Sequence, residues 1–374
     1  MSIECSLRTM NIVFIALQLS QPRCIKRIKA IYDSGFQIKV YGFDSGLYND
    51  SLNSLPFPVE RIIKRDKNKS KLMKIWSFIS PIRQILHENK KESLFYLFGF
   101  EIASLAYLLG CKKYIYEEAD VTAARTGNSL VRDLMLVIDR RIIKRSYRTV
   151  LTSRGFVSYI FPNVAPKDKF IMMPNKLSPF FDEEKKQEVK SLEIDAEHIK
   201  FGFIGLIRYP NTIVRFARVI GREFPQHEFH FWGDVEREDY IDEETRAYKN
   251  VFVHGRFKNP NDLMKIYEQT DVSIVCYDTV SGNVRIAEPN KIYESIFFET
   301  PIVVSSGTFL ADRVKEFGIG YDIDASKDKE IISFLNRIDV KSIESIILRM
   351  KSIPWQSVVD DSSELMEALR NIGK

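Results

Sequence analysis

A lysine and a glutamate three residues apart lie in the stretch 288–304, EPNKIYESIFFETPIVV. Side chains at i and i+3 are neighbours on a helix, so Lys291 and Glu294 would share one face. Pro289 suits the first helical position, and the helix N-terminus adds partial positive charge beside the lysine. This arrangement can hold a diphosphate at Lys291 and sugar hydroxyls at Glu294, although the spacing alone does not favour that interpretation. The alternative is a surface ion pair worth about 0.2–0.5 kcal/mol.

The elements that must position these residues alternate between strand and helix. In the first half, strands are predicted at 11–17, 36–43, 94–99, 113–118 and 148–153, and helices at 22–34 and 155–162. In the second half, strands are predicted at 199–205, 227–233, 250–255, 271–277 and 301–306, and helices at 211–223, 260–269 and 289–299. This alternation indicates an α/β protein with doubly wound parallel sheets, which bind ligands at the carboxyl ends of their strands.

A polar, charged stretch without apolar periodicity separates the two halves. We therefore predict an N-terminal domain at 1–178, a linker at 179–198, a second domain at 199–355 and a C-terminal helix at 356–374 that packs back on the first domain. Residues 1–180 carry a formal net charge of +14 and residues 181–374 one of −9, which give the total of +5. A basic half joined to an acidic half indicates different partners for the two domains.

Composition excludes several classes of protein. The 374 residues contain no apolar run of the ~18 residues that a membrane span needs. The four cysteines are scattered without a Cys-x-x-Cys pair, and the five histidines form no ligand-spaced pair. These observations argue against a disulfide framework or a zinc site and favour the cytoplasm. No basic-aromatic repeat or helix-turn-helix pattern supports nucleic acid binding.

Four segments of the second half resemble, in order and spacing, the C-terminal domain of group 1 glycosyltransferases with the GT-B fold, of the kind found in capsular and cell-surface polysaccharide biosynthesis. They are FGFIGLIRYPN, FHFWGD, NVFVHGRFKNPNDLMKIYEQTDVSIVCYD and EPNKIYESIFFETPIVVSS. In the first half, SQPRCIKRIKAIYDSGFQIKVYG resembles the family's first loop, helix and second strand. The resemblance implies two Rossmann-like domains that face a central cleft.

The resemblance also implies a transferase that takes its sugar from a nucleotide diphosphate sugar and needs no metal or other cofactor. In its motifs Glu294 would bind the ribose hydroxyls, because a carboxylate suits a vicinal diol. Lys291, beside Asn290, and Arg208 would hold the diphosphate and neutralise charge as the nucleoside diphosphate leaves. Gly205 would let the backbone approach the phosphates, although alone it would indicate only a turn.

The acceptor would be a hydroxyl of a saccharide, free or linked to a polyprenyl lipid. Two alternatives remain open: a GT-B sugar-nucleotide epimerase, and a non-catalytic saccharide-binding member. The sequence leaves open the donor base and sugar, the acceptor, the stereochemical course and the oligomeric state.

The chain departs from the family at three places. Glu299 stands where the family has a glycine after the helix, so we expect this turn to differ locally. The family's earlier sugar-binding glutamate would fall at Ile286, and the nearby acid is Glu288. The family's paired glycines in the first loop are replaced by Gln18, Ser20, Gln21 and Arg23.

Acidic residues at 117–120 follow a predicted strand and are the candidates for catalysis. Alternation places Glu118 on the face of Tyr116, opposite Glu117. We expect these carboxylates to face the cleft, where Glu118 or Asp120 would deprotonate the acceptor hydroxyl in an inverting enzyme. The alternative is an acidic helix start with Asp120 as N-cap.

Two further motifs have possible ligands. The sequence Asp322-Ile323-Asp324 has the form of a metal-binding Asp-x-Asp motif, but two carboxylates do not make the octahedral site that Mg²⁺ prefers. We expect an edge segment there.

Residues 61–79 carry seven basic residues up to position 74, next to an amphipathic aromatic stretch. This pattern favours contact with an anionic membrane at its inner face, against a solvated loop that leads into an ordinary helix.

Overall fold

The computed structural model describes residues 11–44, 55–64, 71–90, 93–189, 194–195 and 197–372. Two compact units divide the chain: unit 1 comprises Met1–Met173 and Asp361–Lys374, and unit 2 comprises Pro174–Asp360. The sequence places a linker at 179–198. In the structure, Phe181 of that stretch is buried in a core of unit 2, and Lys186 donates a hydrogen bond to the backbone oxygen of Phe297 (2.7 Å).

Unit 1 is built on a seven-stranded parallel sheet of order β3-β2-β1-β4-β5-β6-β7. The two central strands, β1 and β4, are almost entirely buried, which is typical of strands covered on both faces. The five predicted strands of this half are confirmed, and the short strands β3 and β7 are additions to them. The bounds are β1 (Asn11–Ala16), β2 (Ile38–Asp44), β3 (Arg61–Lys64), β4 (Ser93–Phe98), β5 (Tyr114–Glu118), β6 (Thr149–Leu151) and β7 (Phe170–Met172).

The helices of unit 1 include the predicted helix that starts with Pro22 at its first turn. Two long helices that the sequence analysis did not predict pack beside the sheet, and one of them bears on the candidate acid–base residues below. The bounds are α1 (Pro22–Asp33), α2 (Lys71–Glu88), α3 (Phe100–Leu108), α4 (Ser129–Arg145) and α5 (Arg154–Ile160).

Unit 2 contains a six-stranded parallel sheet of order β10-β9-β8-β11-β12-β13. This is the strand order of dinucleotide-binding folds, in which the order reverses between the first and fourth strands. All five predicted strands are confirmed, and β13, an addition to them, forms one edge of the sheet, as expected for this segment. The bounds are β8 (Lys200–Ile204), β9 (Glu228–Trp232), β10 (Val251–Gly255), β11 (Val272–Val275), β12 (Ile302–Ser305) and β13 (Gly320–Ile323).

The helices of unit 2 cover both faces of this sheet and bury two apolar cores against it. Their bounds are α6 (Glu183–Gln187), α7 (Pro210–Glu223), α8 (Glu243–Ala247), α9 (Leu263–Tyr267), α10 (Gly282–Ile286), α11 (Lys291–Phe298), α12 (Phe309–Phe317), α13 (Asp328–Leu335) and α14 (Val340–Lys351). The last helix, α15 (Ser363–Ile372), belongs to unit 1, where Leu365 and Leu369 lie in the core with residues of β1 and α1.

The turn after α11 corrects the expectation for Glu299. This residue has a left-handed backbone (φ 57°, ψ 32°), and the amide of Thr300 donates to the oxygen of Ser295 (3.0 Å), as in a glycine-terminated helix. A left-handed residue with a side chain costs about 1–2 kcal/mol. The Glu299 carboxylate contacts the ammonium groups of Lys186 (2.6 Å) and Lys351 (3.6 Å), which offsets part of that cost.

The start of α11 also differs from the prediction. The helix begins at Lys291, so Pro289 precedes it and does not occupy its first position. Asn290 already has a helical backbone, and its oxygen accepts hydrogen bonds from the amides of Tyr293 (3.0 Å) and Glu294 (3.1 Å). Pro289 therefore closes the preceding loop, and the first turn is built on Asn290.

Candidate functional site

The candidate site of unit 2 lies where the strand order of its sheet reverses, at the carboxyl ends of β8 and β11. Gly205 directly follows β8, and Tyr277 follows β11 by two residues. In doubly wound sheets this point leaves a crevice for ligands because the connections on its two sides leave in opposite directions. Helix α11 brings Lys291 and Glu294 to the same place.

Glu294 is buried and fully engaged. Its side chain is 2% exposed. Its Oε2 atom accepts hydrogen bonds from the hydroxyl of Tyr267 (2.8 Å) and the ammonium of Lys291 (2.5 Å), and its Oε1 atom accepts one from the amide of Asn290. Burial raises the pKa of Tyr267, and the negative charge of Glu294 adds to that shift. The hydroxyl therefore stays protonated and continues to donate.

The pair of Lys291 and Glu294 is not the surface ion pair of the alternative interpretation. The two side chains are 7% and 2% exposed, and their charged atoms lie 2.5 Å apart. Exposed pairs contribute little to stability, whereas a buried charge that loses its partner is strongly unfavourable. The pair therefore holds the two side chains together within the site.

Gly205 lies against Lys291 and against a second glycine. Its backbone has φ 141°, and a Cβ atom placed on it would lie 3.6 Å from Cε of Lys291. Gly233, after β9, has φ 133°, and a Cβ atom there would lie 2.0 Å from the backbone oxygen of Gly205. At Gly205 a side chain would be strained by the backbone conformation, although it would have room. At Gly233 it would also clash, because the two loops approach each other through their backbones.

Arg208 is exposed, in the loop between β8 and α7. Burial raises the pKa of Tyr277; the charge of Glu294 raises it further, and the charge of Arg208 lowers it. Both charged groups therefore lie within electrostatic reach of this phenol. The structure thus brings together Gly205, Asn290, Lys291 and Glu294, with the guanidinium of Arg208 nearby.

Glu288 is buried and has partners of its own. Its Oε1 atom accepts a hydrogen bond from the hydroxyl of Tyr293 (2.5 Å) and lies 3.4 Å from Nε of Arg313. These contacts tie the loop before α11 to α11 and α12.

In unit 1, Glu117 and Glu118 point to opposite faces of the sheet, as predicted from strand alternation. Glu117 is fully buried, and its Oε2 atom accepts hydrogen bonds from Nε of Arg27 (3.0 Å) and from the hydroxyl of Tyr96. Arg23 contributes a further contact, with Nε 3.5 Å from the other carboxylate oxygen. Two cations of α1 thus hold Glu117 in the interior.

The expectation that Glu118 is accessible is wrong. The residue is 1% exposed, because the unpredicted helix α4 covers its face of the sheet and contributes the buried carboxyl of Asp139. Burial raises the pKa of Glu118 well above its usual range, and the charge of Asp139 raises it further. Burial also raises the pKa of Asp139, to about 7. Both carboxyls are therefore readily protonated in the folded protein.

We predict that Asp139→Asn changes the pH dependence of stability. The folded state retains a proton on Asp139 from its ordinary pKa of 3.8 up to about 7, so wild-type stability should fall, relative to the variant, as pH rises through that window. Urea unfolding at pH 4.5 and pH 7.5 measures the difference. Asp133→Asn is the control, because Asp133 lies on the same helix with a side chain 61% exposed. Equal pH dependence in Asp139→Asn and wild type would contradict the prediction.

Asp120 is the accessible carboxylate of the pair proposed for catalysis. Its side chain is 48% exposed, and an oxygen lies 2.7 Å from the guanidinium of Arg125. The following short 3₁₀ helix, Thr122–Arg125, has Val121 in its N-cap position, so the N-cap interpretation of Asp120 does not hold. An ion pair with Arg125 positions the carboxylate instead.

The Asp-x-Asp sequence lies at the edge strand β13 and its following turn. Asp322 lies 3.0 Å from the ammonium of Lys315, and Asp324 accepts hydrogen bonds from Ser326 and pairs with Lys327 (2.5 Å). These local partners account for both carboxylates. Within the described residues, no cluster of three or more His, Cys, Asp or Glu side chains suits a metal ion.

The basic stretch predicted to contact a membrane lies partly outside the described residues, at 65–70. Its C-terminal part belongs to α2, where the ring of Phe78 packs against buried Phe43 (centroids 5.1 Å apart). None of the helices in the described ranges has the length and apolar character of a membrane span.

Tyr267 and Gly233 are site residues that the sequence analysis missed. Tyr267 is 27 residues from Glu294 along the chain and lies in a predicted helix whose pattern indicates only a core position. Gly233 lies in the segment FHFWGD, but its contact with Gly205 depends on the pairing of β8 with β9.

No protein-family model and no curated protein sequence matches the chain. Solved structures match over nearly its whole length. HepE from Anabaena in complex with UDP-glucose is 14% identical, with a TM-score of 0.70 over 97% of this chain and 99% of that one. Sucrose-phosphate synthase from Thermosynechococcus elongatus is 11% identical, with a TM-score of 0.66 over 97% and 99%.

A UDP-GlcNAc 2-epimerase from Neisseria meningitidis, bound to UDP-GlcNAc, is 13% identical, with a lower TM-score of 0.59 over 97% of this chain and 100% of that one. These identities are too low to carry residue roles from one protein to another. The structural match to these three proteins nevertheless covers 97% of this chain, including both sheets. Together with the two parallel, doubly wound sheets, it confirms the expected architecture. The chain has the GT-B fold, which it shares with solved nucleotide-sugar glycosyltransferases.

Proposed function

We propose that the chain is a glycosyltransferase that moves a sugar from a nucleotide diphosphate sugar to a hydroxyl of a saccharide acceptor. The observation that carries this proposal is the buried carboxylate of Glu294, held beside Lys291 and Gly205 where the strand order of unit 2 reverses. The fold supports it, because HepE and the sucrose-phosphate synthase share that fold and the former was solved with UDP-glucose.

The proposed donor site follows from hydrogen-bonding capacity. A carboxylate accepts about four hydrogen bonds, and Glu294 already receives three. A ribose diol donates two, so one present donor must move away. Lys291 is the donor that gains by moving, because a diphosphate offers its ammonium more negative charge than one carboxylate. We therefore expect the lysine to turn from Glu294 to the diphosphate when the nucleotide binds.

The proposed reaction breaks the bond between the anomeric carbon and the diphosphate oxygen, which leaves with the electron pair. Lys291 and Arg208 neutralise the charge that develops on it. The acceptor oxygen forms the new bond to carbon and gives up its proton. If the enzyme inverts, Asp120 is a better candidate for the base than Glu118, because its carboxylate reaches solvent.

The test is to incubate the protein with UDP-glucose, UDP-GlcNAc or GDP-mannose, with and without oligosaccharide and lipid-linked acceptors, and to analyse products by mass spectrometry and NMR. A transferase should release nucleoside diphosphate much faster with acceptor and lengthen the acceptor by one sugar. Lys291→Met should remove this activity.

The epimerase alternative rests on the structural match to the UDP-GlcNAc 2-epimerase. An epimerase would convert UDP-GlcNAc to its C2 epimer without any acceptor, and that product would overturn the transferase proposal. Saccharide binding without turnover of any donor would favour the non-catalytic alternative. A cytoplasmic location and a role in polysaccharide assembly at the membrane remain parts of this proposal.

A further inference from the structure

Unit 1 contains a cavity of about 720 Å³ far from its acidic strand end. The walls come from the C-terminal half of α2, the start of β4 and the turn between α3 and β5. The lining residues are Ser80, Arg83, Gln84, Leu86, His87, Lys90, Ser93, Phe95, Leu109, Gly110, Cys111, Lys112 and Lys113.

The cavity lies at the amino end of the parallel sheet. Lys112 and Lys113 directly precede β5, whereas Glu118 ends that strand and Asp120 follows it. At about 3.3 Å per residue, roughly 16 Å separates Lys113 from Glu118. The cavity is therefore distinct from the residues proposed for catalysis, and from the donor site, which belongs to unit 2.

Positive charge dominates the lining. Among the described lining residues, four are basic, namely Arg83, Lys90, Lys112 and Lys113, all of them exposed, and none is acidic. Within the described part of the chain, none of these four cations lies in an ion pair with a carboxylate. Such a concentration of like charge is unfavourable for folding unless an anion relieves it.

Apolar side chains form the other part of the cavity. Leu86, Phe95 and Leu109 line it together with the basic residues. Leu109 is 36% exposed, and the adjoining Leu108, at the end of α3, is 72% exposed. Exposed leucines next to a cluster of cations match a ligand that carries both a negative headgroup and a hydrocarbon part.

We propose that this cavity binds the phosphate headgroup of an anionic phospholipid, with Leu108 and Leu109 against the adjoining acyl region. The lysines supply charge-assisted hydrogen bonds to the phosphate oxygens, and the leucines bury apolar surface that water now covers. The described lining of the cavity includes no residue of the predicted basic stretch at 61–79, which precedes it along α2, and no residue of the proposed donor site. A soluble phosphate ester would satisfy the cations alone and leave the leucines exposed.

The test is sedimentation with vesicles of phosphatidylcholine containing phosphatidylglycerol, compared with phosphatidylcholine alone. Wild type should bind only the anionic vesicles. Lys112→Glu with Lys113→Glu should weaken binding at least thirtyfold, since each lost cation near the surface contributes about 1 kcal/mol and each new carboxylate is repelled. The matched control is Lys329→Glu with Lys341→Glu, exposed lysines of unit 2 whose reversal changes net charge equally. It should bind as wild type does.

Further variants separate the two parts of the proposed site. Leu108→Ser with Leu109→Ser should weaken vesicle binding while the cations remain. Titration with glycerol 1-phosphate should give much weaker binding than titration with monomeric dihexanoyl phosphatidylglycerol. Circular dichroism and the unfolding midpoint check the fold, and nucleoside diphosphate binding should be unchanged in all variants, so the proposed function is tested separately.

Three results would overturn the proposal. The first is an equal loss of vesicle binding in the control variant, which would indicate net charge alone. The second is equal affinity for glycerol 1-phosphate and the short-chain lipid, which would indicate a soluble phosphate compound. The third is a wild-type protein that does not sediment with anionic vesicles at low salt.

Discussion

Glu294→Ala should lower the free energy of unfolding by about 3–5 kcal/mol and remove nucleoside diphosphate binding. The substitution leaves the ammonium of Lys291 buried without its partner, and losses of this kind fall in that range. It also leaves the hydroxyl of Tyr267 and the amide of Asn290 without their acceptor. Urea unfolding measures the first effect, and calorimetric titration with UDP, ADP and GDP measures the second.

The chain offers a matched control for this prediction. Lys185 and Glu188 have the same i, i+3 spacing and a separation of 2.7 Å, but their side chains are 35% and 53% exposed. Glu188→Ala should therefore cost less than about 1 kcal/mol. A loss in Glu294→Ala no larger than in Glu188→Ala would refute the buried-pair account.

A double variant separates stability from binding. Lys291→Met combined with Glu294→Leu removes both charges and keeps similar volumes, so it should recover the part of the stability that Glu294→Ala loses by leaving Lys291 unpaired. It should not recover nucleotide binding, because neither a ribose acceptor nor a phosphate cation remains. Restored binding in this variant would mean that the nucleotide uses other residues.

Gly233→Ala should disrupt the site through the backbone. The added Cβ would lie 2.0 Å from the oxygen and 2.7 Å from the carbonyl carbon of Gly205, at a φ of 133° that side chains rarely adopt. Backbone atoms cannot rotate away as a side chain can, so the loop after β8 must shift. We expect a loss of about 3 kcal/mol or more in stability, because the steric clash adds to the backbone strain. Nucleotide binding should weaken strongly as Gly205 moves from Lys291.

Gly255→Ala is the control for backbone strain. Gly255 ends the neighbouring strand β10 and has a positive φ of 78°, but a Cβ there meets no atom within 4 Å. The Gly255→Ala variant should lose about 1–2 kcal/mol in the free energy of unfolding and keep its affinity for nucleotides. The two variants are compared by urea unfolding and by titration with UDP. Similar losses in both would show that the close approach of Gly233 to Gly205 is unimportant.

The sequence was sufficient for the features that depend on local pattern. Apolar runs and their spacing predicted the strands of both sheets except β3, β7 and β13. The spacing of Lys291 and Glu294 predicted that their side chains meet. Burial of this pair was not predictable from spacing, because α9 and the loop after β8 supply the groups around it. Tyr267 and Gly233 reach the site only through sheet order and helix packing.

Glu118 shows most clearly what a local sequence pattern cannot predict. Strand alternation correctly gave the face on which it lies, but the residue that changes its chemistry, Asp139, comes from a helix that the pattern analysis did not identify. Glu299 shows a different limit: the residue type disfavours a left-handed backbone, yet the helix end and two lysine contacts impose it. In both places, tertiary contacts outweigh a local preference.

The most direct measurement of the central claim is a crystal structure of the protein soaked with UDP, or with whichever nucleoside diphosphate binds most tightly in the titrations. The account predicts ribose hydroxyls within about 2.5–3.2 Å of the Glu294 carboxylate. It also predicts that the Lys291 ammonium has turned to the diphosphate beside Gly205. A nucleotide bound elsewhere, or one bound here with Lys291 still on Glu294 and the ribose away from that carboxylate, would contradict it.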